Sequence, residues 1–169
     1  MPELPEVEFI RRELHPLLSG QTLRRVDGQY RPVNIVGQTI TSVDRNGKYL
    51  LLKTDTHTLV IHLGMTGQIH VNSPGKRHER SVLTFDATTL SFVDTRGFGY
   101  VRELAPGEPA PGLLGKLGPD PLASWDRQRA VEGLTGRNKA IKAVLLDQHA
   151  IAGVGNYIAD ESLWRARLH

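Results

Sequence analysis

Apolar residues near the start of the chain recur every three or four positions, as they do along one face of a helix. Glutamates lie in the first turn of this segment, where negative charge favours a helix N-terminus, and Ser19-Gly20 follows the last apolar residue. The pattern predicts a helix from Pro5 to Leu18, with an apolar face made of Val7, Ile10, Leu14, Leu17 and Leu18.

The next part of the chain consists of short apolar and β-branched runs separated by turn residues. Asn46-Gly47, between the second and third runs, is a strong signal for a two-residue hairpin turn. Many short strands of this kind indicate an antiparallel sandwich or barrel. The predicted strands are Thr22–Val26, Thr39–Arg45, Lys48–Lys53, Thr58–Leu63, Gln68–Val71, Val82–Phe85, Leu90–Val93 and Tyr100–Glu103.

The composition then changes at residues 105–121, APGEPAPGLLGKLGPDP, which are typical of a linker. The pattern beyond this segment is helical. We therefore predict an α+β chain with a strand-rich domain, a sandwich or a barrel, at 1–123 and a helical domain at 124–169. The predicted helices run from a cap at Ser124 to Leu134, from Asn138 to about Gln148, and from Tyr157 to Leu168, where the chain stops while still helical.

Composition and charge narrow the possible partners and locations. Twenty-one Lys and Arg against 18 Asp and Glu give a net charge of +3, which is compatible with a polyanionic partner but does not require one. The absence of cysteine excludes disulfides and cysteine-ligated zinc from this sequence. The first twenty residues are too charged for a signal peptide, and no apolar run could span a membrane. We therefore expect an intracellular protein.

The N-terminal octapeptide MPELPEVE combines a nucleophile with a proton carrier. Removal of Met1, which a small second residue permits, would leave Pro2 as a secondary amine beside the Glu3 carboxylate. An α-amino group has a pKa of about 8, so part of it is neutral and can attack an electrophilic sugar carbon. Glu3 could then transfer protons. An ordinary helix start explains the same residues, and on this stretch alone it is the simpler interpretation.

Three further segments hold candidate functional side chains, each with an ordinary structural explanation. Lys48 in NGKYLLL follows the hairpin signal and could be a solvated lysine. Met65 in HLGMTG could fill a packing gap or act as an exposed wedge. Arg96 and Phe98 in DTRGFG could belong to a simple turn between strands. None of these segments establishes a function by itself.

GVGN, at residues 153–156, precedes a predicted helix. A helix N-terminus offers free N–H groups and a positive dipole end to a phosphate, and Lys139 and Lys142 are predicted to lie on the helix before it. A glycine-rich turn beside a solvated basic face explains the same pattern.

Taken together and in this order, the motifs closely resemble those of the formamidopyrimidine-DNA glycosylase and endonuclease VIII family. The resemblance extends from Met1 to the final residue and includes MPELPEVE, NGKYLLL, HLGMTG, DTRGFG, NKAIK and GVGNYIADESLW. It implies an N-terminal helix packed on an antiparallel β-sandwich. A helical module of the helix–two-turns–helix type, which is incomplete in this sequence, would follow. It also implies a catalytic role for the first domain and DNA binding by the second.

The resemblance implies a role for each candidate side chain. Pro2 would attack the deoxyribose C1′ of a damaged nucleotide, and Glu3 would protonate the sugar ring oxygen. Glu6 would support them, and Lys48 would contact DNA and help in base release. The gap-filling residues would be Met65, Arg96 and Phe98, with Arg96 facing the orphaned cytosine. The phosphate contacts would be His78, Lys142 and Asn156. Glu161 would lie near the N-terminal proline.

The implied activity is that of a bifunctional DNA glycosylase and abasic-site lyase of base excision repair. A covalent iminium would acidify the sugar C2′ proton, so that β-elimination and δ-elimination follow. The LPEVE continuation and the Met, Arg and Phe set favour the branch that removes 8-oxoguanine and formamidopyrimidines. An oxidised-pyrimidine glycosylase of the same family and a non-catalytic DNA-binding homologue are the alternatives.

The sequence departs from the family pattern in three places. Gly97 stands where many relatives have a second basic residue, and Tyr157-Ile158 reverses a frequent order. Family members also continue through the rest of the helical module to a zinc finger with four cysteines, which this sequence lacks. We therefore expect a truncated chain without a metal or other cofactor. We expect it to act as a monomer, in the cytoplasm or nucleoid, on double-stranded DNA that contains oxidised purines or abasic sites.

Overall fold

The structure is a computed structural model that describes residues 1–108, 110, 112, 114–123 and 125–168. It divides into two compact units, Met1–Arg45 with Tyr49–Pro109 and Asn46–Lys48 with Ala110–His169. The division falls inside the predicted linker. The described residues between 110 and 123, part of the predicted first domain, group with the helices, as does the 46–48 turn.

The first unit begins with helix α1, Leu4–Leu18, which confirms the predicted N-terminal helix. Glu3 is its N-cap and a proline lies in its first turn, where the missing N–H costs nothing. The backbone N–H of Ser19 donates to the His15 carbonyl at 3.1 Å and closes the last turn. The helix buries one face, made of Leu4, Val7, Leu14 and Leu18.

Eight strands follow, at the places where the alternating pattern predicts them. They are β1 (Leu23–Gly28), β2 (Ser42–Asn46), β3 (Tyr49–Lys53), β4 (Thr58–His62), β5 (Gln68–Val71), β6 (Glu79–Phe85), β7 (Thr89–Val93) and β8 (Tyr100–Leu104). They form two four-stranded sheets, ordered β1-β6-β7-β5 and β2-β3-β4-β8. The sandwich with an N-terminal helix is therefore confirmed.

The core of this unit joins the apolar side chains of both sheets to α1. Burial of each large aliphatic or aromatic side chain contributes about 1.5–3 kcal/mol, so this cluster is the main source of stability. It includes Val7, Leu14, Leu18, Leu23, Leu50, Leu52, Leu59, Ile61, Leu83, Leu90 and Phe92.

The hairpin turn between β2 and β3 lies one residue later than predicted. Asn46 is the last residue of β2, and the two turn residues are Gly47 and Lys48. Gly47 adopts a φ of +56°, which glycine accepts without strain. Lys48 is therefore a turn residue and not the first residue of a strand.

The described residues of the second unit form a short 3-10 helix, Leu114–Lys116, and three α-helices. They are α2 (Arg127–Leu134), α3 (Ile141–Leu145) and α4 (Asn156–Ala166). The cap of α2 is Asp126, whose carboxylate accepts the Arg129 N–H at 3.0 Å; the predicted cap, Ser124, lies outside the described residues. Ala130, Ile151, Val154 and Ala159 form a small core.

Two predictions for this unit are wrong. The helix predicted from Asn138 to Gln148 is only Ile141–Leu145, so Lys139 precedes it. Asp147 ends it because its carboxylate accepts the His149 N–H at 3.0 Å and stabilises a turn in place of another helical residue. The last helix ends at Ala166, since Arg167 adopts the left-handed conformation at φ +56°. No helix in the described part of the chain has the length and hydropathy needed to cross a lipid bilayer.

Candidate active site

The N-terminal end of α1 holds the predicted nucleophile and its carboxylates. Pro2 is half-buried, and Glu3 beside it is 5% exposed. The Glu6 carboxylate accepts the backbone N–H of Glu3 at 2.9 Å, which fixes the backbone next to Pro2. With Met1 in place, the Pro2 nitrogen is part of a peptide bond. It becomes a secondary amine only when Met1 is removed.

Glu8 anchors this end of the helix through a cluster of arginines. Its carboxylate lies 3.0 Å from Arg45 on β2, whose side chain is 2% exposed, and within 3.0 Å of Arg11 and Arg12 on α1. Burial alone would raise the pKa of Glu8, but hydrogen bonds from the three arginines outweigh it and lower the pKa to about 2. Glu8 is therefore an anion at neutral pH that joins α1 to β2.

An open depression of about 490 Å³ lies beside the N-terminus. It brings Pro2 and Glu6 together with Met65, which the motif pattern predicts as a gap-filling residue. The lining residues are Met1, Pro2, Glu6, Met65, Thr66, Gly67, Gln68 and Thr95.

Met65 projects from the loop between β4 and β5 and is 41% exposed. This exposure favours the wedge over the packing filler. Gly67 closes the loop so tightly that a Cβ at this position would lie 2.1 Å from the Leu63 carbonyl oxygen. Only glycine permits such a close approach.

Arg96 and Phe98 project together from the loop between β7 and β8. The guanidinium carbon of Arg96 lies 4.8 Å from the centroid of the Phe98 ring, within the range of a cation–π contact. The Phe98 side chain is 56% exposed, although such an apolar ring normally lies in a core. The predicted gap-filling pair is therefore preformed and accessible.

The predicted phosphate contact His78 lies at the end of the loop that precedes β6. It is exposed and has a φ of +63°, which a non-glycine residue adopts only where its surroundings hold it. The Asp94 N–H donates to the His78 carbonyl at 3.1 Å. This hydrogen bond connects His78 to the loop of Arg96 and Phe98.

In the second unit, Lys48 is half-buried at the hairpin turn. The adjacent Gly47 N–H donates to the buried carboxylate of Asp120 at 2.9 Å. This bond fixes the backbone that carries Lys48. A freely solvated lysine is thus the poorer description of this residue.

The other predicted DNA contacts of this unit lie on α3 and α4. Asn156 is the exposed first residue of α4 and follows the N-cap Gly155. Lys142 on α3 forms an ion pair of 2.7 Å with Asp160 on α4, so a phosphate would have to compete with this carboxylate.

Glu161 is half-buried, and its nearest arginine, Arg165, lies 3.9 Å away. Among the described residues, no group of three or more His, Asp or Glu side chains is placed to hold a metal ion.

Sequence patterns gave no role to Glu8 as an anchor, to Asp94 or to Asp120. Each of these carboxylates accepts from at least one distant residue: Arg45 is 37 residues from Glu8, Thr66 is 28 residues from Asp94, and Gly47 is 73 residues from Asp120. The sequence signal that could have identified such residues is a polar side chain close to a predicted functional residue. The roles of the predicted site residues stay predictions.

Comparison with known proteins establishes the family. Residues 1–101 match the family model of the formamidopyrimidine-DNA glycosylase N-terminal domain, and residues 117–169 match that of the formamidopyrimidine-DNA glycosylase H2TH domain. The chain belongs to the formamidopyrimidine-DNA glycosylase family. The α+β fold and the helical module expected from the motifs agree with this membership.

Relatives in the formamidopyrimidine-DNA glycosylase family resemble the chain over its whole length. The formamidopyrimidine-DNA glycosylase of Shewanella denitrificans is 40% identical over 183 residues, which cover all of this chain and 68% of that protein. The crystal structure of the MutM (Fpg) protein from Thermus thermophilus is 43% identical with a TM-score of 0.91, covering 99% of this chain and 65% of that one. A Lactococcus lactis Fpg variant in complex with DNA that contains Fapy-dG is 34% identical with a TM-score of 0.88. The match covers 99% of this chain and 68% of that one.

Proposed function

We propose that this chain, once Met1 is removed, is a bifunctional DNA glycosylase and abasic-site lyase that acts on oxidised purines in double-stranded DNA. The observation that carries the proposal is the depression shared by Pro2, Glu6 and the Met65 loop. A nucleotide that leaves the helix can meet the Pro2 nitrogen there while Met65 occupies its former position. Family membership supports the same chemistry.

In the proposed reaction the Pro2 nitrogen forms a bond to C1′ of the damaged nucleotide. The glycosidic bond breaks and the base leaves with a proton, while Glu3 protonates the ring oxygen as the sugar opens. The product is a cationic iminium between Pro2 and C1′. Its charge acidifies the C2′ proton, whose loss expels the 3′ phosphate, and a second elimination expels the 5′ phosphate. No external cofactor enters this sequence of steps.

Extrusion of the nucleotide costs a few kcal/mol of unstacking, and exposed side chains can offset part of that cost. Met65 and Phe98 supply apolar surface for the vacated stack, and the Arg96 guanidinium supplies donors for the orphaned base. Cytosine presents acceptors to such donors, which favours lesions derived from guanine. The complex of the Lactococcus lactis relative with Fapy-dG DNA is compatible with this lesion class.

Electrostatic contacts to the DNA backbone complete the proposal. Lys48 would contact DNA and assist base release, and Glu161 would have a supporting role. The phosphate contacts are His78, Lys142 and Asn156, and the net charge of +3 is compatible with them.

Borohydride trapping tests the proposal directly. The Met1-processed chain is incubated with a duplex that contains an abasic site and then reduced, which converts the iminium to a stable amine. We expect a covalent adduct whose peptide map places the DNA on Pro2. The matched control is the same chain with an N-terminal residue that is not removed, because an amide nitrogen is not nucleophilic. No adduct with the processed chain would refute the enzymatic activity, and salt-sensitive binding without an adduct would indicate the non-catalytic DNA-binding homologue.

Two further substrates separate the partial reactions. With a duplex that contains 8-oxoguanine opposite cytosine, base release requires protonation of the sugar, so Glu3→Gln should abolish it. The same variant should still be trapped on a preformed abasic site, because an open aldehyde forms the iminium without that proton transfer. Faster release of an oxidised pyrimidine than of 8-oxoguanine would assign the chain to the other branch of the family.

A further inference from the structure

The topology of the sandwich places two functional loops side by side. The β4–β5 loop carries Met65 and the β7–β8 loop carries Arg96 and Phe98, and both cross from one sheet to the other. β4 pairs with β8 through His62 and Tyr100, and β5 pairs with β7 through Gln68 and Val93, so both loops leave the sheets at the same end.

The two loops touch through their backbones. A Cβ on Gly64 of the first loop would lie 2.5 Å from the Gly99 nitrogen of the second. Such proximity leaves no room for the loops to shift independently. Something must nevertheless satisfy the polar backbone groups that are buried where they meet.

Asp94, at the start of the second loop, satisfies these groups. Its side chain is fully buried, and its Oδ1 accepts the Thr66 hydroxyl of the first loop and the Arg96 N–H at 3.2 Å. Its Oδ2 accepts the Gly99 N–H at 2.7 Å. Burial would raise the pKa of Asp94, but these hydrogen bonds outweigh it and hold the pKa below its ordinary value. One carboxylate therefore connects both loops.

The backbone of Asp94 connects a third DNA-contact segment. Its N–H donates to the His78 carbonyl at 3.1 Å, and its own carbonyl accepts the Arg80 Nε at 2.8 Å. The side chains that depend on this arrangement, Met65, Arg96, Phe98 and His78, are all exposed and make no core of their own.

We propose that Asp94 is a positioning residue that holds the Met65 loop, the Arg96–Phe98 loop and His78 in one rigid arrangement, so that the gap-filling side chains enter DNA already ordered. This inference rests on the proposed function. Ordering side chains before binding removes an entropic cost that binding would otherwise bear. Asp94 touches no reacting atom in this scheme and acts through the loops.

The test uses a duplex with an uncleavable abasic-site analogue opposite cytosine and 2-aminopurine next to the site. The fluorescence reports unstacking by the inserted side chains, and the titration gives the Kd. Because this duplex requires no chemistry at Pro2, failure of the catalytic proposal and failure of this one are distinguishable. We expect Asp94→Asn to weaken binding about tenfold and to reduce the fluorescence change, because the amide nitrogen that replaces one carboxylate oxygen is a donor and cannot accept the hydrogen bonds that this oxygen receives. Asp55→Asn, at an exposed carboxylate in the β3–β4 turn, is the matched control and should change neither.

A double-mutant cycle separates positioning from general support. If Asp94 acts in part through Phe98, D94N should weaken binding by a smaller factor in the F98A background than in the parent. Full multiplication of the two losses, or unchanged binding by D94N, would overturn the proposal. Thr66→Ala removes the interloop hydrogen bond and leaves the Gly99 bond intact, and it replaces D94N in the cycle if circular dichroism shows that D94N does not fold.

Discussion

Replacement of Glu8 by glutamine should destabilise the protein in a way that depends on pH. A pKa lowered from 4.5 to about 2 corresponds to about 3 kcal/mol of stabilisation of the ionised carboxylate in the folded state. Glutamine keeps the size of the side chain but faces the buried Arg45 guanidinium with an uncharged amide. We therefore expect Glu8→Gln to lower the free energy of unfolding by about 3 kcal/mol at pH 7.

The sign of the pH dependence follows from the lowered pKa. A carboxylate of this kind contributes its full stability above the unfolded-state pKa of 4.5 and loses it as the pH falls toward 2. The difference between parent and Glu8→Gln should shrink to about half at pH 3 and nearly vanish at pH 2. Urea unfolding followed by circular dichroism at each pH measures this difference.

Glu13 offers a matched control on the same helix, because its side chain is exposed. Glu13→Gln should change the free energy of unfolding by less than about 0.5 kcal/mol at any of these pH values. Equal stability of Glu8→Gln and the parent at pH 7 would refute the buried ion pair as an anchor. A difference that persists unchanged at pH 3 would show that packing, and not charge, is responsible.

Three other predictions follow from local geometry. Asp160→Asn should release Lys142 from its 2.7 Å ion pair, tighten DNA binding about two- to fivefold and make the Kd depend more steeply on salt. Weaker binding by this variant would contradict a phosphate role for Lys142. Burial, together with the charge and hydrogen bond of Tyr100, raises the pKa of Tyr49 to about 12. Absorbance titration should therefore show tyrosine ionisation near that pH, and Tyr49→Phe should reduce its amplitude. Gly67→Ala should lower the free energy of unfolding, measured with urea, by about 2 kcal/mol or more, because the added Cβ would lie 2.1 Å from the Leu63 carbonyl oxygen. An unchanged unfolding midpoint would show that the loop can relax.

The strands of the sandwich were predictable because their pattern is local. Each buried position in β3 and β4, such as Leu50 or Leu59, contributes to an apolar run that turn residues delimit. The hairpin turn was displaced by one residue because Asn46 pairs in β2, so the turn begins at Gly47. Periodicity identifies the elements well and their ends less well.

The helical unit was harder to predict because its boundaries depend on side-chain hydrogen bonds. The pattern of apolar residues does not mark Asp147, yet its carboxylate accepts the His149 N–H and ends α3. The ion pair of Arg137 with Asp147 at 2.5 Å adds to the same turn. The candidate catalytic residues, by contrast, came from motif resemblance, since a proline beside a glutamate has an ordinary explanation as a helix start.

The three glutamates of MPELPEVE illustrate how the structure separates roles that the sequence leaves equivalent. Glu8, with a pKa of about 2, cannot carry a proton near neutral pH and serves as an anchor. Glu6 holds the backbone N–H of Glu3 at 2.9 Å, which orients the residue next to Pro2. Proton transfer in the proposed reaction therefore falls to Glu3, the carboxyl adjacent to the nucleophile. The octapeptide forms an anchor, a positioning group and a proton carrier around one amine, and that amine becomes reactive only when Met1 is removed.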